Sequence, residues 1–358
     1  MTRGTVFAAV WLAAAVTACE HTATFAPGTY TPNGPFGSGP ALRLTYNPGT
    51  DLFPAWLPGG AGILYTAERV DRADRDHCFA VLPSGGGAIT RYDCPSTASN
   101  DSIDVFDGAS LSPDGRIAYV RASSRRIPVR PIAPQVEELV VAPLADPNAV
   151  LVLRPLDYTA PSGRLHQGIS HIGWLSPTRL VYLGERVTYP QACSGCAPDT
   201  VRTGIEITTL DFSGATPVLA IVPGTDSASS VVVGGTGDTI YFSRNGDSRV
   251  YRYTFSSGQT DTIHDFVVGI ARDVGVAAGR LVAVVGGDVT YVADTVLGVS
   301  QVDHGGELYF VTLASGIEAT IGDPTSRFRR PALSADGTRV VAEVHTLGRS
   351  DLWLLTVP

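Results

Sequence analysis

The chain has 358 residues, a formal net charge of -8 and 26 basic residues, all of which are Arg. The lack of Lys excludes a Schiff-base, P-loop or Ser-Lys lysine, and an acidic chain with no concentrated basic face argues against a nucleic-acid partner. Hydrophobic residues at 44%, with 39 Gly and 25 Pro, describe a turn-rich globular chain that is too apolar for disorder.

Residues 1–18 place Arg3 before an apolar run from Val6 to Val16, followed by small residues and Cys19. The run is too short for a comfortable membrane span and reads as a removable export signal. Val16-Thr17-Ala18-Cys19 resembles a bacterial lipobox. That resemblance implies lipidation of Cys19, with acyl chains that hold the protein on a bilayer, and Glu20 at the next position implies the outer membrane. Residues 19–40 have no helical or strand period and are rich in Gly, Pro and Thr, which predicts a flexible tether of roughly 25 Å. Residues 41–358 then form the folded domain.

Five Cys support export: with Cys19 assigned to lipid, an even four remain. Cys78 and Cys94 stand at mirrored distances from the Gly85-Gly86-Gly87 turn, where cross-strand neighbours come within disulfide range. Cys193 and Cys196 form CSGC between Pro190 and Pro198. No further Cys or His pair completes a zinc site and no βαβ context supports a redox motif, so a loop disulfide is the expectation there.

One pattern recurs from residue 54 onward: an apolar strand, a tight turn rich in Pro, Gly or Asp, then an alternating strand. It is read at 54–68, 109–122, 172–185, 231–244, 272–285 and 331–344, and is weakest at 272–285. A second pair of strands follows each hairpin, as at Glu138–Ala142 with Val150–Arg154 and Leu308–Leu313 with Ile317–Ile321. Four strands per repeat is the blade of a β-propeller. The 318 residues from Ala41 give 53 per blade for six blades. Seven blades of usual length are the alternative, but the excess in each long repeat is visible as loop. Only the strand Asp351–Val357 follows the last hairpin, and Ala41–Tyr46 precedes the first, so the N-terminal strand is expected to join the C-terminal blade and close the ring.

The segment RLTYNPGTDLFPAWLPGGAGILYTAE, with SLSPDGRIAYV, PALSADGTRVV and DLWLLTV, resembles the WD-like repeat of TolB-type propellers. The likeness is firm in the first, second and sixth repeats and loose elsewhere. It implies an all-β, six-bladed propeller. The separate α/β domain that precedes the propeller in TolB has no counterpart in the tether, so TolB's own role does not carry over whole.

Asp114-Gly115 and Asp336-Gly337 are expected to serve turns, and Trp56, Trp174 and Trp353 to pack between blades. Two acidic clusters, Asp71, Asp74 and Asp76, and Asn100, Asp101, Asp104 and Asp107, carry the oxygen ligands that calcium favours, although neither has EF-hand spacing. Arg69, Arg72 and Arg75 interleave the first, as in self-paired surface charge. Metal is not the leading expectation, and no other cofactor is implied. Long second-to-third-strand loops at 69–77, 123–136, 186–204 and 286–306 emerge on one face. Arg121, Arg125, Arg126 and Arg130 in or beside the second of these form a basic patch suited to an acidic partner.

Hydrolase and zinc-protease motifs are missing. The leading expectation is a monomeric, non-catalytic binding or scaffold module, lipid-anchored at the cell envelope, that docks a protein or peptide on the long-loop face. The alternative is a propeller enzyme, sugar dehydrogenase-like or lyase-like, that uses His166, His171 and Asp273 in the central channel.

Overall fold

The computed structural model describes residues 41–46, 49–68, 76–96, 102–125, 136–156, 159–160, 163–164, 169–188, 201–287, 289–294, 298–303, 305–322, 326–346 and 349–358. These form an all-β propeller. Hairpins repeat because each apolar alternation ends in a turn built for reversal. At 334–337 the Gly337 N–H donates to the Ser334 carbonyl (2.8 Å), and Gly337 takes a φ of 71° that a side chain would resist. Asp336 caps the same turn by accepting from Ser334 Oγ (2.6 Å) and from the Thr338 N–H (3.0 Å).

Four separate antiparallel sheets have four strands each. The first contains Ile169–Ser176, Arg179–Thr188, Val201–Asp211 and Val218–Ile221. The second contains Ala228–Val233, Thr239–Arg244, Arg249–Thr254 and Gln259–Asp265. The third contains Ala271–Ala277, Arg280–Val285, Glu307–Thr312 and Ile317–Ile321, so the weakest repeat of the sequence forms a hairpin like the others. The fourth contains Phe328–Leu333, Arg339–Thr346 and Arg349–Thr356, with the N-terminal strand Ala41–Arg43 on its outer edge.

The expectation of six separate sheets needs a correction here. The strands of the first two repeats run together in one eight-stranded sheet. Asp51–Trp56, Gly62–Glu68, His77–Pro83 and Arg91–Asp93 form one part, and Ser102–Leu111, Arg116–Arg125, Val136–Pro143 and Leu151–Leu156 the other. The join is a single parallel pair, His77 opposite Val105. It is local because the long strand Ser102–Leu111 starts early enough to run beside the start of His77–Pro83.

The buried apolar residues fall into clusters between successive sets of strands. Phe79, Phe106 and Tyr119 form one aromatic contact, with centroids 5.1 to 5.2 Å apart. Ile63, Tyr65 and Leu82 pack against Val341 and Leu352, which brings the beginning of the domain against its end. Full burial stabilises each such side chain by about 1.5–3 kcal/mol. The tryptophans bridge neighbouring sets. Trp56 Nε1–H donates to the Ala332 carbonyl (2.9 Å), Trp174 Nε1–H to the Ser110 carbonyl (3.1 Å), and Trp353 lies in the cluster with Phe310 and Phe328. Arg116 and Arg339, near the start of second strands, stack on Trp174 and Trp56.

The first strands meet around a common axis. Asp51–Trp56 touches Ser102–Leu111, and contacts continue through Ile169–Ser176, Ala228–Val233, Ala271–Ala277 and Phe328–Leu333, which again touches Asp51–Trp56.

Candidate functional site at the central cavity

The first strands enclose a cavity of about 380 Å³. Every one of them carries the same irregularity, where one extra residue faces its hairpin partner; it lies in the first half of the strand except in the longer Ser102–Leu111, where it falls past the middle. The register slips between Leu52 and Ala55, Asp107 and Ser110, Ser170 and Gly173, Ala228 and Ser230, Ala271 and Val274, and Arg329 and Ala332. A β-bulge bends its strand and redirects a side chain. In four strands the bulge carries a positive φ: 52° at Phe53, 62° at Gly108, 51° at His171 and 44° at Arg330. Glycine adopts this conformation freely, whereas the other three store backbone strain of about 1–3 kcal/mol each. Phe53 and Arg330 also precede Pro54 and Pro331, which normally biases a residue toward extended backbone.

These bulges bring four chemical groups together. His171 Nε2 lies 3.1 Å from Asp273 Oδ1, and its Nδ1 lies 3.0 Å from Ser170 Oγ. The Arg330 backbone N–H donates to Asp273 Oδ2 (2.9 Å). Arg330 Nη1 donates to both oxygens of Glu343 (3.1 and 2.9 Å), and the Phe53 N–H donates to Glu343 Oε1 (2.7 Å). Glu343 comes from the second strand, Arg339–Thr346, and its side chain is 0% exposed. The Arg330 guanidinium stands 4.0 Å over the Phe53 ring. Two strained backbone positions are therefore fixed by carboxylates from other strands.

Electrostatics follow from this packing. Burial alone would raise the Asp273 carboxyl. The hydrogen bond from His171, the His171 charge and Arg330 outweigh it and hold the group well below the usual carboxylate range. Burial pulls Arg330 down, but Glu343 and Asp273 overcome it, so the guanidinium is a fixed cation. What remains is a rigid polar floor in which both carboxylates already accept hydrogen bonds.

Of the sequence candidates, His171 and Asp273 are brought together at the axis, whereas His166 lies outside the described residues. Cys78 and Cys94 are disulfide-bonded, with Cα atoms 4.4 Å apart, on the strand His77–Pro83 and just beyond Arg91–Asp93. Cys19, Cys193 and Cys196 lie outside the described residues, as do Arg126, Arg130, Asp71, Asp74, Asn100 and Asp101. The side chain of Arg125 is likewise not described. Arg121 is paired with Glu138, so that member of the basic patch is partly neutralised. Asp76 and Asp104 are both buried, and Asp76 Oδ1 accepts from the Asp104 backbone N–H (3.1 Å). Asp107 sits at the bulge of Ser102–Leu111, near the Arg330 charge. Sequence reasoning missed Phe53, Arg330 and Glu343. A signal was available in the repeated Pro-Ala at Phe53-Pro54-Ala55 and Arg330-Pro331-Ala332, which marks equivalent bulges.

The ring of first strands and the four-stranded sheets define a β-propeller. Its structure is similar to a TolB structure from Agrobacterium tumefaciens (TM-score 0.50, 14% identity, covering 87% of this chain and 92% of that one). It is similar to TolB from Acinetobacter baumannii (TM-score 0.51, 14% identity, 83% of this chain and 64% of that one) and to a gluconolactonase from Xanthomonas campestris (TM-score 0.53, 12% identity, 90% and 91%). The chain thus spans less than two thirds of the Acinetobacter protein. No protein-family model and no curated protein matches the sequence. At these identities the likeness is one of fold, and the fold is that of a TolB-like propeller.

Proposed function

We propose that this chain is an exported, lipid-anchored propeller of six blades that acts as a non-catalytic binding module at the cell envelope. Six is the count that fits six bulged first strands and an eight-stranded sheet divided at a single residue pair. Closure of the ring by the N-terminal strand is supported by the pairing of Ala41 with Leu355 and by the Arg43–Asp351 ion pair (2.7 Å).

The observation that carries the binding reading is the preorganised cluster at the bulges. Its groups are held by mutual hydrogen bonds among the first strands Asp51–Trp56, Ile169–Ser176, Ala271–Ala277 and Phe328–Leu333, with Glu343 from the second strand Arg339–Thr346. The connections between blades and the loops between second and third strands emerge at the end where the first strands begin. Elaborated loops around a rigid polar centre suit a protein or peptide partner. The tether adds an orientation. Ala41–Arg43 runs antiparallel to Arg349–Thr356 and so antiparallel to Phe328–Leu333, and it begins at the end remote from the bulges. A lipid on Cys19 would therefore attach the body from the end opposite the loop face and leave that face free for a partner. An enzymatic reading would rest on His171 and Asp273, but both ring nitrogens and both carboxylate oxygens are already engaged.

Two measurements test the proposal. Mass spectrometry of the mature N-terminus should find acyl chains on Cys19 and none in Cys19→Ser. Affinity capture should recover an envelope protein with the intact chain and lose it when residues 123–136 and 186–203 are deleted. Equal recovery by the intact and deleted forms counts against the docking face.

A further inference from the structure

We propose that the central cavity binds its ligand through a free carboxylate, held by the uncommitted edge of the Arg330 guanidinium. This deepens the binding reading above and rests on it.

The argument begins with donors and acceptors. Asp273 accepts at both oxygens, from His171 and from the Arg330 backbone, and Glu343 accepts from Phe53 and from Arg330 Nη1. Arg330 is different. Nη1 is taken by Glu343, while Nη2 and Nε make no hydrogen bond to any described residue, and the side chain is 26% exposed. Arginine carries five N–H donors and no acceptor. The unused donors of the cluster therefore lie on Arg330 at the cavity wall, and an acceptor complements them.

Geometry narrows the acceptor. Stacking on Phe53 and the bond to Glu343 fix the plane of the guanidinium, and the backbone bond to Asp273 fixes its root. The Nη2–Nε edge then presents two parallel N–H groups, which a carboxylate matches with two oxygens. A volume of about 380 Å³ suits a small acid or the last residues of a chain. The neighbouring carboxylates set a limit. Glu343, Asp273 and Asp107 all act on this guanidinium, so the incoming anion competes with them, and its binding should be modest and salt-sensitive.

The test uses the full mature chain and isothermal titration with four probes: succinate, succinamide, the peptide Ala-Ala-Ala with a free C-terminus, and the same peptide amidated. Binding of succinate or of the free-acid peptide, at least tenfold tighter than its amide counterpart, is the expected result. Succinate alone would point to a small organic acid, and the peptide alone to a chain terminus. Equal binding of acid and amide overturns the proposal, and so does no binding of either acid at about 1 mM. Arg330→Gln would strand the buried Glu343 carboxylate and destabilise the fold. The companion variant therefore replaces the pair together, Arg330→Met with Glu343→Leu, since apolar replacement of a buried ion pair is often tolerated. Its fold is checked by circular dichroism, and it should lose acid binding at least tenfold. Undiminished binding in that variant also overturns the proposal. If partner capture succeeds while all four probes fail, the carboxylate site falls and the docking reading stands.

Discussion

The inner and outer strands of the same blade solve different problems. Each inner strand is bulged, and three of them hold a non-glycine residue at positive φ so that Phe53, His171 and Arg330 reach one cluster. The outer strands Val218–Ile221 and Ile317–Ile321 pair without any slip and leave Val218 and Ile317 about two thirds exposed, at 64% and 65%. Backbone strain within the strands is thus concentrated at the axis, where it is joined by an ionic cluster, while these two outer ladders are regular and present ordinary surface. The contrast indicates where chemistry was built in, because strain persists only where surrounding contacts over-determine it.

The largest effect expected from breaking this contrast comes from Glu343. Glu343→Ala leaves the Arg330 guanidinium, and Arg329 4.0 Å away, facing an empty buried site. Urea unfolding should show a loss of about 3–5 kcal/mol. The exposed Arg116–Asp114 pair on the rim is the control, and Asp114→Ala should cost no more than about 1 kcal/mol. Similar losses in the two variants would refute the idea that ionic order is concentrated at the axis.

Among the described residues the perimeter has one covalent staple, and it supplies the next effect. Arg91–Asp93 is only three residues long and pairs with His77–Pro83, where Cys78 is bonded to Cys94 across a separation of 16 residues. Closing a loop of that length stabilises the folded state by about 3 kcal/mol. Cys78→Ala with Cys94→Ala should lower stability by that order and leave the cluster at the axis intact, read from an unchanged tryptophan environment at Trp56 and Trp174.

A smaller effect isolates strain from contact. At Gly108 a Cβ would come only to 4.0 Å from the Phe53 ring, an ordinary contact, so the cost of Gly108→Ala is backbone conformation at φ 62°. About 1 kcal/mol is expected by thermal unfolding. A neutral result would mean that this bulge relaxes, and that the positive φ at Phe53 and Arg330 is not enforced by the strand itself.

The alternation of apolar residues and the Pro, Gly and Asp turns made the hairpins legible, because a hairpin is decided by residues within a dozen positions of one another. Glu138–Ala142 and Ile317–Ile321 fall inside or on the observed strands Val136–Pro143 and Ile317–Ile321 for that reason. His171 with Asp273 could be suspected from their places near repeat starts. Arg330 and Glu343 could not. They are separated by 13 residues, and Glu343 sits mid-strand in an apolar run where its carboxylate is accounted for by a guanidinium from the bulge beside it and by the Phe53 N–H. The merging of the first two repeats into one sheet depends on the pairing of His77 with Val105, a contact that no local pattern encodes.

The most delicate comparison is between two titrating groups far from the axis, His77 beside the first blade's long loop and Asp336 in the last hairpin turn. Burial lowers the His77 pKa below its ordinary 6.5, against the opposing charges of Glu68 and Asp76. The unfolded chain then binds the proton more readily than the folded one. Stability contributed by neutral His77 is present above about pH 6.5 and is lost as pH falls toward the lowered folded value. Hydrogen bonds from Ser334 and Thr338 lower Asp336 from 3.8 to about 2, so its contribution is intact through that same window and is lost only as pH falls from about 4 toward 2. Chemical unfolding across pH should therefore show two separate declines. His77→Gln should flatten the first and leave the second, and Asp336→Asn should leave the first and only reduce the second, because Asp273 and Asp247, also held below the ordinary carboxylate range, contribute to the same acid decline. If His77→Gln leaves the decline between pH 6.5 and 5 unchanged, the buried imidazole is not its source.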